Sequence, residues 1–180
     1  NAYLVWDADT RDAAVIDTGA DATPILRFAA ERGLKIRLIL LTHTHHDHVA
    51  DLARLKKETG APAFVGMDEG FGEAEAFQEG MSFVNKHRLS IQTRRTSGHA
   101  KGGITYVVSG LSRPVAVVGD ALFASSMGGG GVSYEDALRT NRASLFTLPD
   151  ETVICPGHGP LTTVGEEKKH NPFFPEFQKD

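Results

Sequence analysis

The chain has a single cysteine, Cys155, among its 180 residues. That excludes an internal disulfide framework and a cysteine-rich zinc knuckle. It is compatible with the cytoplasm, the expected location, without requiring it. No apolar run approaches the roughly 20 residues that span a bilayer, so no membrane partner is expected. No basic surplus is present either. Lys and Arg number 19 against 23 Asp and Glu, a net charge of −4 with both signs spread along the chain. Nothing in that distribution marks a nucleic-acid partner. Repeats, linkers and low-complexity tracts are also missing. What remains is 41% hydrophobic and 23% charged, the balance of an ordinary globular protein. The length suits one domain over residues 1–180 with a sizeable core, not two.

The rest of the chain is organised around Leu38-Ile39-Leu40-Leu41-Thr42-His43-Thr44-His45-His46-Asp47-His48. A short apolar run, preceded by the polar Lys35 and Arg37, reads as a buried strand. It ends in four histidines and an aspartate, which are metal-ligand types. If strand geometry continues past Thr42, His43 and His45 point to one side and His46 to the other. A bend into a helix starting near His48 then brings Asp47 and His48 toward the same volume. A solvated histidine tract would need neither the buried strand before it nor the apolar-periodic helix after it.

Residues 2–6 and 13–16 read as short strands joined by a polar turn. Thr23-Pro24 predicts a helix with a hydroxyl N-cap and proline at its first position, stopped by Gly33. The helix after the histidines turns Val49, Leu52, Ala53 and Leu55 inward. Residues 62–65 are a further strand. Residues 66–88 mix glycine, acidic and aromatic residues and read as a mobile excursion with a short helix, of the kind that covers a site. Strands follow at 90–96, 104–108, 115–118 and 152–155. Ser133, with Asp136 three residues on, is a capping-box signature. It opens a helix with Tyr134, Ala137, Leu138, Leu145 and Leu148 on one face. Cys155, Trp6, Phe173, Phe174 and Phe177 read as packing residues, and His87 and His170 have no ligand context. Mixed strands and helices make the class α/β or α+β.

Three more strand ends finish in polar residues beside glycine: Ser97-Gly98-His99-Ala100, Val118-Gly119-Asp120 and Pro156-Gly157-His158-Gly159. Glycine lets the backbone turn sharply while one side chain is aimed at a cluster. Taken together, T-H-x-H-x-D-H, G-H, G-D-A-L-F and P-G-H-G-P resemble the metallo-β-lactamase superfamily over nearly the whole chain. G-D-A-L-F and the ending with His170-Asn171-Pro172-Phe173 resemble its glyoxalase II-like branch, the hydroxyacylglutathione hydrolases and short bacterial relatives.

The resemblance implies a four-layer αββα sandwich, two mixed β-sheets flanked by helices with metals at one sheet edge. It also implies a first family strand upstream of Asn1. One divalent ion would be held by His43, His45 and His99. A second would be held by Asp47, His48 and His158, with Asp120 bridging. Zinc is the first expectation for both, with iron or manganese as alternatives. Two such ions share and activate a water and polarise a carbonyl, so no serine or cysteine nucleophile is needed. Asp47 and Asp120 would be catalytic, orienting that water and moving its proton. The implied reaction is hydrolysis of a small-molecule thioester, such as a glutathione thioester, or of a related ester.

Two departures bear on the substrate. Lys101, followed by two glycines, is a candidate for an anionic substrate group. The loop Ser125-Ser126-Met127-Gly128-Gly129-Gly130-Gly131 lacks the arginine relatives often carry there. It also lacks the Lys-Ser/Thr ending of a phosphate loop, so it reads as a flexible site edge. Only about twenty residues follow His158, with no C-terminal helical domain of the kind that holds glutathione in longer relatives. The alternative is an oxidoreductase, a persulfide dioxygenase with one iron on His43, His99 and Asp120.

Overall fold

Alternation along the strands sorts the apolar side chains into three layers, which stack two sheets between helices. The computed structural model describes residues 1–84 and 89–178; His87 lies outside the described residues. The first sheet has the order β1 (Tyr3–Trp6), β2 (Asp12–Ile16), β3 (Lys35–Leu41), β4 (Ala63–Gly66), β5 (Glu75–Phe77). Its first pair is antiparallel and the others parallel. The second sheet contains β6 (Ser82–Val84), β7 (Ser90–Arg95), β8 (Ile104–Ser109), β9 (Val115–Gly119), β10 (Val153–Pro156) and β11 (Thr162–Thr163), in the order β11-β10-β9-β8-β7-β6. Only β9 and β10 are parallel there.

Ala13, Val15, Ile39, Leu41, Ala63 and Val65 face outward from the first sheet. They pack on Ala29 of α1 (Thr23–Glu31) and on Leu52 and Leu55 of α3 (Leu52–Thr59). The alternate residues Ala14, Ile16 and Leu40 face inward and meet Ile91, Tyr106, Val108, Val117 and Cys155 of the second sheet. The outer face of that sheet, Val107, Ala116, Val118 and Ile154, packs on Ala137 of α4 (Tyr134–Ser144) and Val164 of α5 (Val164–His170). The four-layer αββα reading therefore matches the structure. Ile36 shares a layer with Ile39, although strict alternation would separate them. The register against β2 shifts by one residue at Arg37, a bulge that returns Ile36 to the helix side.

Several local expectations need correction. β3 stops at Leu41, and a separate helical turn, α2 (His46–Val49), starts two residues before His48. Ala53 is exposed, because the break between α2 and α3 rotates the helical face. The N-cap of α1 is Ala22, not Thr23; the side chain supporting that turn is Asp21, whose carboxylate accepts from the Thr23 amide at 2.8 Å. Ser133 does cap α4, accepting from the Asp136 amide at 3.1 Å. The carboxylate of Asp136 is taken instead by the Ser97 hydroxyl, 2.5 Å away. Tyr134 is exposed, while Leu145 and Leu148 are buried just past the helix end.

Residues 66–84 are not a loose cover. They form a 3₁₀ turn (Met67–Glu69) and contribute β5 to one sheet and β6 to the other; residues 85–88 lie outside the described part. The aromatic residues do pack: Trp6 meets Phe28 at 5.7 Å between ring centroids, and Phe146 meets Phe174 and Phe177 at 4.6 and 4.7 Å. Burial pushes the Cys155 thiol up to about 11, so it stays a protonated, inert packing group at neutral pH.

Candidate metal centre

The proposed ligands come from four strand ends at one edge of the sandwich. β3 runs into His43, His45, Asp47 and His48; β7 leads to His99, β9 to Asp120 and β10 to His158. The Tyr106 hydroxyl, inside the core, donates to the Leu41 carbonyl at 2.8 Å and so fixes the end of β3 from the opposite sheet. His45 is the N-cap of α2 with extended backbone. The path through Thr42 to His45 is thus a loop, and the helical turn that follows carries Asp47 and His48 back beside His43.

All seven side chains converge. His43 Nε2 lies 3.1 Å from His45 Nδ1, which lies 2.9 Å from His99 Nε2. His158 Nε2 lies 3.0 Å from Asp47 Oδ2, and His48 Nε2 lies 3.5 Å from the same oxygen. Asp120 stands between the two groups. Its Oδ1 is 3.3 Å from His48 Nε2, and its Oδ2 is 3.5 Å from both His99 Nε2 and His158 Nε2. Three sets of ligand atoms lie close enough for one ion each: His43, His45 and His99; Asp47, His48 and His158; and His43, His48 and Asp120. His46 is exposed and in none of them. Lys101 is exposed on the turn after His99 and outside the cluster, and its ammonium has no polar partner among the described residues.

The donor chemistry fits metal ions. Two buried polar atoms, His48 Nε2 and Asp120 Oδ1, face each other without a hydrogen bond of sound geometry. Buried groups left so are costly in a purely proteinaceous site. One ring of the first triad is already oriented. The Gly129 carbonyl accepts from His99 Nδ1 at 2.9 Å, leaving Nε2 as the lone-pair nitrogen turned inward. The glycine run is accordingly a site edge tied to a candidate ligand. Gly157 is required by close approach: a Cβ there would run into Asp120 Oδ1 and the His48 ring.

Electrostatics separate the two groups. Burial, reinforced by the neighbouring His48, pushes the His43 pKa down to about 2, so this ring is neutral. Burial alone would lower His48, but the Asp120 and Asp17 carboxylates overcome it and raise it to about 10. Asp120 also works against burial, and His48, His43 and His158 hold its carboxyl below the ordinary carboxylate range.

Two residues that support the cluster went unnoticed in the sequence. Asp17 is buried with φ +57°; it accepts from His48 Nδ1 and from the Thr42 amide and hydroxyl, each at 2.8 Å. Its signal was available, since Asp17-Thr18-Gly19 is a carboxylate at a strand end near glycine, like Asp120. Glu69 accepts from the Thr44 amide and hydroxyl at 3.0 and 2.6 Å and from the Gly102 amide at 2.6 Å. No local pattern marks it.

Residues 1–158 match the model of the metallo-beta-lactamase superfamily. Hydroxyacylglutathione hydrolase GloC of Haemophilus influenzae is 31% identical over 198 residues, covering 96% of this chain and 92% of that protein. The crystal structure of the BLEG-1 B3 metallo-beta-lactamase superposes with a TM-score of 0.85 at 26% identity, over 97% of this chain and 93% of that one. The crystal structure of TTHA1623 in a di-iron-bound form superposes with a TM-score of 0.79 at 26% identity, over 96% and 94%.

Proposed function

Because the chain belongs to the metallo-beta-lactamase superfamily, whose hydrolase members work through divalent metal ions, we propose that it is a dinuclear hydrolase of acyl-thioesters or related esters. The observation that carries the reading is the pair of complete ligand triads meeting at Asp120. A mononuclear site would leave Asp47, His48 and His158 without purpose, which weighs against the one-iron dioxygenase. His43, His45 and His99 would hold one ion, Asp47, His48 and His158 the other, and Asp120 both. Ions so bound supply Lewis acidity and a water acidified toward neutral pH. Zinc suits the histidine and carboxylate donors, as do iron and manganese, and a structural neighbour is described in a di-iron form.

The chain's own residues then have distinct tasks. Asp120, almost fully buried, is a fixed anion that orients whatever lies between the triads. Asp47, 51% exposed beside His158, is the carboxylate that solvent reaches, and its Oδ2 can take up and release the proton of an attacking water. In thioester hydrolysis the water oxygen bonds to the acyl carbon, the carbon–sulfur bond breaks and the thiolate departs without strong acid assistance. Lys101, on the turn after His99, is the candidate grip for an anionic thiol carrier. On this reading residues 1–180 act as one catalytic unit.

The likeness to a hydroxyacylglutathione hydrolase supports S-lactoylglutathione as the first substrate to try. The test is thiol release from a panel of thioesters, lactones and β-lactams, beside oxygen uptake with glutathione persulfide. We expect thioester cleavage with a high KM, since the loop after Asp120 carries no arginine. Lys101→Ala should raise KM more than it lowers kcat, as for lost uniform binding. Oxygen uptake without thioester cleavage would overturn the reading in favour of the dioxygenase.

A further inference from the structure

The three histidines assigned to the first ion come from two loops on different sheets, and one carboxylate touches both loops. Glu69 ends the 3₁₀ turn after β4, in the first sheet. Its Oε2 accepts from the amide and hydroxyl of Thr44, the residue between His43 and His45. Its Oε1 accepts from the amide of Gly102, three residues past His99 on the turn into β8. We propose that Glu69 is a positioning residue that clamps the two loops together and thereby sets the affinity of the His43, His45 and His99 site, leaving the Asp47, His48 and His158 site to other supports. The proposal rests on the metal-centre reading above.

Three features carry it. All three donors are N–H or O–H groups, so both carboxylate oxygens are engaged as acceptors, and Glu69 belongs to none of the ligand groups itself. The approach is built in at close quarters: a Cβ on Gly102 would strike the Glu69 backbone amide at 2.6 Å. Glycine at 102 is what lets the turn reach the carboxylate. The second triad is held differently. Its His48 is fixed by Asp17, and no contact from Glu69 reaches residues 46–48, 120 or 156–158 among the described residues. The adjacent Arg95–Asp68 ion pair, 2.9 Å, links the same two segments. It is over 40% exposed on each side and contributes little.

The test is Co²⁺ binding to metal-free protein, read by titration and by the visible spectrum, in backgrounds that isolate each site. His158→Ala disables the second triad and His99→Ala the first. Glutamine at 69 keeps the shape but replaces one acceptor with a donor facing another donor. Partners that orient ligands typically contribute about 10–100-fold in metal affinity. Glu69→Gln should therefore weaken Co²⁺ binding by about that factor in the His158→Ala background and leave it within about twofold in the His99→Ala background. Thr44→Val, which removes only the hydroxyl contact and is milder on folding, should shift affinity in the same direction by less.

A wild-type protein that binds no Co²⁺ removes the metal-centre premise itself. Two ions in wild type, with Glu69→Gln unchanged in both backgrounds, overturns the Glu69 role alone. Equal weakening in both backgrounds also overturns it, because that is the mark of general structural damage.

Discussion

His48 Nδ1 donates to the Asp17 carboxylate at 2.8 Å, and both side chains are only 1% exposed. This bond leaves His48 Nε2 as the nitrogen aimed at Asp47 and Asp120. Asp17 adopts φ +57°, a region that Asn also tolerates, so Asp17→Asn tests the charge and the acceptor without new backbone strain. The substituted amide can no longer accept from the Thr42 amide, the Thr42 hydroxyl and His48 together. A buried polar group left unsatisfied costs about 1–3 kcal/mol. We expect a stability loss of that order in denaturant unfolding of metal-free protein, with about 10–100-fold weaker binding of one ion. Unchanged metal affinity would show that Asp17 serves the fold alone.

Asp120 and Asp47 should differ in consequence. Asp120 is buried between the two triads, within 3.5 Å of nitrogens from both. Asp47 is half exposed and belongs to one triad. Asp120→Ala should lower the metal content of purified protein and abolish activity together, a loss of more than about 100-fold, beyond the range seen for outer partners. Asp47→Ala should lose less of both. Elemental analysis beside initial rates decides it, and full occupancy in Asp120→Ala would sink the bridging role.

Metal loading should release a proton, and the direction follows from the two buried rings. In the metal-free protein His48 is held protonated to about pH 10, whereas His43 is neutral down to about pH 2. An ion entering at His48 Nε2 must displace a proton; one entering at His43 Nε2 displaces none. Affinity for the His48 site should therefore fall about tenfold for each unit that pH drops below about 10. At pH 8, calorimetry in buffers of different ionisation enthalpy should find at least one proton released per chain, that of His48, with any from a metal-bound water in addition. Finding none would mean that His48 is already neutral before the ion arrives.

The parts of this arrangement that repeat along the chain were legible in it. Leu38 to Leu41 announce a buried strand by composition, and the polar residues beside Gly98, Gly119 and Gly157 announce strand ends by local chemistry. What escaped depends on residues far apart in sequence. The bulge at Arg37 exists only relative to β2. The break between α2 and α3 turns Ala53 outward, although its spacing from Val49 is helical. Strand alternation through His45 was the wrong device, because β3 ends at Leu41 and a helical turn gathers the ligands. Glu69 and Asp17 matter through partners 25 to 33 residues away, and no period or motif encodes such a pairing.

Glu167 offers the last prediction, since it is a buried acid whose partners all lie around the second half of the site. Its Oε2 accepts from the Ser125 amide at 2.9 Å and from Asn171 Nδ2 at 2.7 Å, and its Oε1 accepts from the Thr162 hydroxyl at 2.7 Å. Ser125 lies in the loop that follows Asp120 and has φ +57°, a strained setting that needs support. Thr162 lies four residues beyond His158. The carboxylate therefore ties the chain after Asp120 to the chain after His158. Glu167→Ala removes the acceptor from three donors. Asn171 is buried but keeps the Ser126 carbonyl, and Ser125 and Thr162 are open to solvent. The cost is therefore less than three times the about 1–3 kcal/mol of a fully buried unsatisfied group. Water entering the cavity would recover part of that. We expect a net loss of about 1–2 kcal/mol, within the ordinary range for single substitutions, read as a lower denaturant midpoint at unchanged slope. Saturating metal should restore part of it by mass action, because ions bound at Asp120 and His158 would hold the same two segments. A midpoint that metal cannot raise would separate Glu167 from the site and leave it a support of the helical layer only.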